Sequence, residues 1–206
     1  MKCLVGVIAV LSLAACSEAP PIDNTVSSGG TLPETAAPSG NWRTLFDGSG
    51  LSAFRINGDA NWQIDSDVVG ADTGSGMLVT NEVFDDFELE VEFWVDVPAN
   101  SGIFLRCPDP AEVTDTTCYE VNIFDTRPDQ TYRTGGIVNI ASPAAELHAG
   151  GRWNRYEITA LGERLQVVLN GEPVVDVEDG RFSSGHIGLQ YGAGIVKFRN
   201  VRIRTL

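Results

Sequence analysis

The chain has 206 residues and a formal net charge of −14 at neutral pH, from 28 acidic and 14 basic side chains. So acidic a surface repels nucleic acid and anionic membranes, which argues against both as direct partners. Acidic substrates are disfavoured for the same reason, whereas neutral sugars and divalent cations remain compatible. Beyond the N-terminal segments, roughly 165 residues remain, enough for one domain with a sizeable core.

The N-terminus has the pattern of an export signal. One positive charge in Met1-Lys2 precedes an apolar run over residues 3–10 and then L-S-L-A-A-C, which ends at Cys16. The run is too short to cross a bilayer as a helix, so we predict a secretory signal peptide over residues 1–16. L-A-A-C resembles the lipobox of bacterial lipoproteins, in which the cysteine is lipidated; an ordinary signal peptide cut nearby is the alternative. We therefore expect a lipid on Cys16 as the only membrane attachment, with Ser17 favouring the outer membrane, facing the periplasm.

Residues 17–40 are rich in Ser, Thr, Pro, Gly and Ala and lack apolar periodicity, which predicts a flexible linker. Residues 41–206 are predicted to form a single all-β domain. They contain about a dozen short alternating stretches bounded by turn residues, and no helical period of ten residues or more. Asn170-Gly171 is a strong hairpin signal, and the phase of the last strand slips at Arg199-Asn200, which predicts a β-bulge. The glutamates of residues 87–93 alternate with apolar residues, so we expect them to form a solvated acidic face.

Two cysteines remain once Cys3 leaves with the signal and Cys16 is lipidated. An even pair in an exported protein is most simply a disulfide, so we predict that Cys107 bonds to Cys118. Such a bond would stabilise the fold by about 2–4 kcal/mol, mainly by restricting the unfolded chain. A metal site on the two cysteines is the alternative, but it lacks neighbouring histidines.

Residues 100–125 carry the candidate site. Within residues 119–124, apolar side chains alternate with Glu120 and Asn122, so the two polar side chains share one face of a strand. By the same alternation Arg106 shares a face with Phe104 on the preceding strand. We expect Arg106, Glu120 and Asn122 to meet on one sheet surface, together with Asp125 if the strand ends or bulges before it. A solvated sheet face with an ion pair is the alternative.

The same segments carry a resemblance. N-S-G-I-F-L-R and Y-E-V-N-I-F-D resemble signature segments of the DUF1080 family, the 3-keto-disaccharide hydrolases or 3-keto-glucoside lyase/hydratases. W-R-T-L-F-D-G, G-R-W-N-R-Y-E-I and F-R-N-V-R-I extend the resemblance over nearly all of the chain after the linker. It implies a concanavalin A-like jelly-roll β-sandwich with a sugar site on one sheet. Two departures are visible: Gln190-Tyr191-Gly192 lacks the histidine of the family's L-Q-x-H-G, and many members have Gln at the position of Asn122.

The resemblance implies a substrate whose 3-keto group acidifies the proton at C2. A base removes that proton, the C1 substituent leaves by β-elimination, and water adds back. We predict Glu120 as the base and Arg106 as the stabiliser of the enolate charge, with Asp125 orienting one of them. A divalent metal ion held by Glu120 and Asp125 is the only candidate cofactor.

We expect a small carbohydrate substrate, bound by Asn100, Asn122, Gln190 and Trp153. The main alternative is a non-catalytic carbohydrate-binding module of the same fold, in which Trp94 and Trp153 would stack on sugars. A structural protein of the cell envelope is a third interpretation.

Overall fold

Residues 41–206 are described by a computed structural model, in which two antiparallel β-sheets pack face to face. The predicted signal peptide, the lipid on Cys16 and the linker over residues 17–40 lie outside the described residues and stay predictions. No helix within residues 41–206 is both long and apolar enough to span a membrane.

Thirteen strands and one 3-10 turn (Gln130–Tyr132) make up the regular structure of residues 41–206. In chain order the strands are β1 (Arg43–Phe46), β2 (Phe54–Gly58), β3 (Gln63–Asp65), β4 (Val68–Ala71), β5 (Gly76–Thr80), β6 (Phe87–Val95), β7 (Ser101–Cys107), β8 (Tyr119–Ile123), β9 (Arg152–Leu161), β10 (Arg164–Leu169), β11 (Glu172–Glu178), β12 (His186–Tyr191) and β13 (Val196–Thr205). The larger sheet has the order β11-β10-β9-β6-β13-β4-β3, with β1 also paired to β13. The smaller sheet has the order β2-β5-β12-β7-β8. The predicted all-β sandwich is confirmed.

Turn chemistry explains where the chain reverses. Asn170 and Gly171 have φ of 55° and 84°, which is the conformation of the tight hairpin turn predicted between β10 and β11. The predicted bulge in β13 is also present, because its pairing with β6 shifts register between Arg199 and Arg202. Asn200 lies within that shift at φ 48°, a left-handed conformation that Asn tolerates better than most residues.

Strand β6 lies at the centre of the larger sheet, and its apolar side chains are fully buried in the core between the sheets. Its three glutamates point to the opposite face but are not simply solvated. Each forms an ion pair with an arginine of β13: Glu88 with Arg204, Glu90 with Arg202 and Glu92 with Arg199. The expectation of a solvated acidic face is therefore wrong. Cross-strand pairing of opposite charges makes this face a stabilising ladder.

Arg106 is among the largest fully buried side chains of residues 41–206, and it joins distant parts of the fold. Its guanidinium donates to the carbonyl oxygens of Asp85 (2.9 Å), Gly162 (2.7 Å) and Phe182 (3.1 Å), and to Oδ1 of Asp86 (2.9 Å). These contacts connect the end of β7 to the segment before β6, to the β9–β10 turn and to the segment before β12.

A bulge in β7 explains why Arg106 is not on the predicted surface. The pairing with β12 shifts register, so that two residues of β7, Leu105 and Arg106, stand opposite the single residue Ile187. Arg106 itself has φ 53°. An extra residue in one strand interrupts the alternation of side chains. The prediction that Arg106 shares a face with Phe104 and meets Glu120 is therefore wrong.

Arg106→Ala should lower the free energy of unfolding by about 3–5 kcal/mol, because it leaves buried acceptors and part of the Asp86 charge without a partner. Arg204→Ala, which breaks a more exposed ion pair, should cost no more than about 1 kcal/mol. Urea denaturation of the two variants and the wild type measures both effects. Equal losses for the two variants would contradict the anchoring role of Arg106.

Candidate active site

The outer face of the smaller sheet carries the candidate site. In β8, Tyr119, Val121 and Ile123 are buried in the core between the sheets, so Glu120 and Asn122 project from the other face, as predicted. The strand pairing places Asn122 opposite Gly102 of β7, and its register brings Gln190 of β12 to the other side of Gly102. Gly102 thus lies between two amide side chains in one row across the sheet.

Gly102 forms the floor of a hollow that the carboxyl group of Glu120 enters. A Cβ at position 102 would lie 3.0 Å from Oε1 of Glu120 and 3.1 Å from its Cγ. Both distances are shorter than ordinary van der Waals contact. The glycine therefore makes room for the side chain of Glu120 to lean across from β8 onto β7.

Two buried acceptors flank this hollow. Neither Oδ1 of Asn122 nor Oε1 of Gln190 has a hydrogen-bond partner within residues 41–206, although Asn122 donates through Nδ2 to the carbonyl oxygen of Tyr132. Buried polar atoms without partners are uncommon and mark places where a ligand or water completes the bonding. Asn100 extends the same face, with Nδ2 only 3.0 Å from where a Cβ of Gly192 would stand. The three predicted amide ligands, Asn100, Asn122 and Gln190, are thus brought to one surface with Glu120.

Burial makes the carboxyl group of Glu120 a weaker acid than an exposed glutamic acid. The residue is 7% exposed, and its pKa is raised from 4.5 to about 7, mainly by the loss of hydration. The negative charge of Asp115 contributes to this rise, and the positive charge of Arg127 opposes it. A carboxyl group that titrates near neutrality can both take up and release a proton under physiological conditions.

Asp115 and Arg127 were not predicted as site residues. Asp115 accepts a hydrogen bond from Nδ2 of Asn139 (3.1 Å), which fixes its position near the site. Arg127 carries a buried Nε without a partner in residues 41–206. Both residues lie in loops, where no periodicity indicates which face a side chain joins.

The predicted disulfide between Cys107 and Cys118 is present, and the loop that it closes lies against the outer face of the smaller sheet. Val113 of this loop packs against Phe104, and the carbonyl oxygen of Pro110 accepts a hydrogen bond from Asn57 of β2. The same loop carries Asp115. The disulfide therefore holds one wall of the site and one of the charges that set the acidity of Glu120.

Residues 136–138 pair with the edge of β8 that does not face β7. The backbone N–H of Asn122 donates to the carbonyl oxygen of Gly136 (2.9 Å), and the backbone N–H of Val138 donates to the backbone carbonyl oxygen of Glu120 (3.0 Å). These bonds place the segment Thr134-Gly135-Gly136-Ile137 at the border of the site. They also leave the backbone of β8 bonded on both sides, which fixes Glu120 on a rigid strand.

Asp125 is not part of this surface. Its Oδ1 accepts from Thr134 Oγ1 (2.6 Å), and its Oδ2 accepts from the backbone N–H groups of Ala149 (2.8 Å) and Gly150 (2.9 Å). The carboxylate thus ties the end of β8 to the segment before β9 and is not available to orient a catalytic group. Residues 41–206 contain no cluster of three or more His, Cys, Asp or Glu side chains arranged to hold a metal ion.

Trp153 is also separated from Glu120. It lies on β9 of the larger sheet, and its ring is stacked on the guanidinium of Arg199, whose Cζ is 4.0 Å from the ring centroid. The prediction that Trp153 binds the same ligand as Asn122 and Gln190 is therefore wrong, because Trp153 lies on the outer face of the larger sheet and the two amides lie on the outer face of the smaller one.

The ionisation of Glu120 should make folding depend on pH. The raised pKa means that the ionised carboxylate disfavours the folded state, with no cost below about pH 4.5 and the full cost above about pH 7. We expect Glu120→Gln to raise the free energy of unfolding by about 3 kcal/mol at about pH 8 and to change it little at about pH 4. Urea denaturation at both pH values measures this. The exposed substitution Glu172→Gln is the control, and an equal gain in that variant would contradict the burial of the Glu120 charge.

Comparisons with known proteins agree with this architecture. A structure from Parabacteroides distasonis, provisionally described as a glycosyl hydrolase, is 25% identical with a TM-score of 0.67; the match covers 81% of this chain and 100% of that one. A second such structure from the same organism has a TM-score of 0.71 at 18% identity, over 80% of this chain and 94% of that one. The carbohydrate-binding module CBM66 from Bacillus subtilis has a TM-score of 0.57 at 16% identity, over 75% and 98%.

These neighbours confirm the jelly-roll β-sandwich. No curated protein matches the chain significantly. The model of the 3-keto-alpha-glucoside-1,2-lyase-like domain matches residues 41–204, which confirms the resemblance that the sequence motifs indicate. The chain therefore belongs to the 3-keto-alpha-glucoside-1,2-lyase-like family.

Proposed function

We propose that this protein cleaves the glycosidic bond of 3-keto-glycosides by removing the proton at C2, with Glu120 as the base. The observation that carries the proposal is a buried carboxyl group with a pKa of about 7, set in a hollow beside acceptors that lack donors. Membership of the lyase-like family supports the reaction class. The similarity to a structure provisionally described as a glycosyl hydrolase supports action on a glycosidic bond.

The chemistry needs one group that can take and return a proton. The 3-keto group acidifies the C2–H bond, so the Glu120 carboxylate takes that proton and the electron pair moves onto the C3 oxygen as an enolate. The enolate then expels the C1 substituent, and the proton now on Glu120 is available to the leaving oxygen. Addition of water across the resulting C1–C2 double bond completes a net hydrolysis. A pKa near neutrality suits both directions of transfer.

Arg127 takes the role that the sequence assigned to Arg106. It is the cation whose charge lowers the pKa of Glu120, and its Nε is a buried donor without a partner in residues 41–206. A fixed positive charge close to the base stabilises negative charge that develops on the substrate. Arg106 cannot do this, because its guanidinium donates to Asp85, Asp86, Gly162 and Phe182.

The amide side chains supply recognition of the sugar. Oδ1 of Asn122 and Oε1 of Gln190 accept hydrogen bonds, and sugar hydroxyl groups are the donors that they lack. Asn100 packs against Gly192, two residues after Gln190. A small neutral carbohydrate satisfies these acceptors without adding negative charge to an already acidic protein. If Cys16 is lipidated as predicted, the reaction takes place in the cell envelope.

Release of sugar from 3-keto-trehalose and 3-keto-glucosides by the full-length protein, followed by mass spectrometry, tests the proposal. We expect turnover by the wild type and by Glu172→Gln, and a loss of at least about 100-fold in Glu120→Gln, because that variant cannot accept the proton. Full activity in Glu120→Gln would remove the assignment. Binding of sugars without release from any 3-keto substrate would favour a carbohydrate-binding module, as in the CBM66 neighbour.

The pH dependence of kcat/KM tests the electrostatics of the base. Because the ionised form of Glu120 is the active one, activity should rise with pH and reach half its maximum at about pH 7. Asp115→Asn should move this midpoint to lower pH, since it removes a charge that raises the pKa of Glu120. Arg127→Gln should move it to higher pH. Midpoints that stay in place, or that move in the opposite directions, would show that a different group titrates.

A further inference from the structure

A groove of about 270 Å³ crosses the outer face of the larger sheet, on the side of the molecule away from Glu120. Strands β3, β4 and β13 form it, and Trp153 of β9 reaches its edge. The core between the two sheets separates this groove from the site proposed above. Its volume is close to the lower end of the range for small-molecule sites, about 300–1,000 Å³.

A glycine opens this groove as well. The pairing aligns Gln63, Gly70 and Lys197 in one row across β3, β4 and β13, with the glycine in the middle. A Cβ at position 70 would lie 3.1 Å from the carbonyl oxygen of Val196 and 3.2 Å from Cγ of Lys197. The ammonium group of Lys197 lies over the ring of Trp94, with Nζ 5.1 Å from its centroid. Gly70 therefore adds no side chain of its own to the floor of the groove, beside the stem of Lys197.

An aromatic ring of fixed orientation bounds one side of the groove. Arg199 stacks on Trp153 at 4.0 Å and forms an ion pair with Glu92, so the guanidinium is itself held in place. Stacking of a cation on an indole orients the ring. Arg199 covers one face of the ring, and the part of the indole that lines the groove is an apolar surface against which a ligand can pack.

Polar side chains held by hydrogen bonds line the other side of the groove. Asn61 donates to Oδ1 of Asp72 (2.8 Å) and accepts from the backbone N–H groups of Asp72 and Thr73 (both 3.0 Å). Both side-chain bonds to Asp72, which lines the groove, go to Oδ1, so Oδ2 keeps its capacity to accept a hydrogen bond. These hydrogen bonds lower the pKa of Asp72 and keep it ionised. Gln63 adds an amide that can both donate and accept.

We propose that this groove is a second binding site for neutral saccharides. An indole face with a carboxylate and an amide opposite suits a pyranose, whose C–H face packs on the ring while its hydroxyl groups bond to the polar wall. Asp65 and Asp72 outnumber Lys197, the one basic residue of the lining, so the groove disfavours anions. The volume suits a terminal sugar unit or a disaccharide. This proposal does not depend on the chemistry assigned to Glu120.

The indole N–H signals of the full-length protein give a direct test, because the chain has four tryptophans and each gives a separate resonance. Titration with maltose, cellobiose and trehalose should move the Trp153 signal saturably with at least one of them. Trp153→Ala should weaken this binding, followed by the remaining signals or by calorimetry, about tenfold or more.

Two control variants test whether the saccharide binds in this groove. Trp42→Ala removes another tryptophan stacked on arginines, Arg202 and Arg204, and should leave the affinity unchanged. Glu120→Gln should also leave it unchanged, which distinguishes the groove from the site on the smaller sheet. The proposal is overturned if no saccharide moves the Trp153 signal, or if Trp153→Ala binds as tightly as the wild type while its thermal unfolding shows an intact fold.

Discussion

Gly102 has no side chain, and the carboxyl group of Glu120 occupies the space that a Cβ there would need. This close approach lets a charged group lie almost fully buried on the outer face of a sheet. The pKa of Glu120 is raised to about 7, mainly by this burial, with the charges of Asp115 and Arg127 contributing in opposite directions. The position, the acidity and the proposed role of Glu120 thus all depend on one glycine in the adjacent strand.

The rest of the fold keeps this arrangement rigid. The backbone of β8 is bonded on both sides, and Asp125 ties its end to the segment before β9. The disulfide holds the loop that carries Asp115, and Arg106 anchors the end of β7 to three distant segments. A carboxyl group whose pKa depends on burial and on two nearby charges needs such support, because small displacements would rehydrate it.

Short sequence patterns predict the features of the fold that depend on the backbone geometry of a few residues. The alternation in β8 correctly placed Glu120 and Asn122 together, Asn170-Gly171 correctly marked a hairpin, and the two remaining cysteines correctly paired. The family motifs indicate the jelly-roll fold and the reaction class that we propose, neither of which alternation alone specifies.

Sequence patterns do not predict the position of a side chain where long-range geometry determines it. Arg106 left the expected face because a bulge adds one residue to β7, and nothing in S-G-I-F-L-R-C marks that insertion. The sequence does not reveal that Trp153 belongs to the larger sheet, since the period of a strand does not say which sheet the strand joins. Asp115 and Arg127 approach Glu120 from loops, and only the tertiary structure brings them there.

The central claim is that the C2 proton of the substrate leaves during turnover, and its fate can be measured directly. The full-length protein would act on 3-keto-trehalose carrying deuterium at C2 in ordinary water, and mass spectrometry would follow the released 3-keto sugar, corrected for exchange without enzyme. Our account predicts that the released sugar loses its deuterium in step with turnover. Release of a sugar that keeps its deuterium would show direct hydrolysis at C1 and would contradict the account.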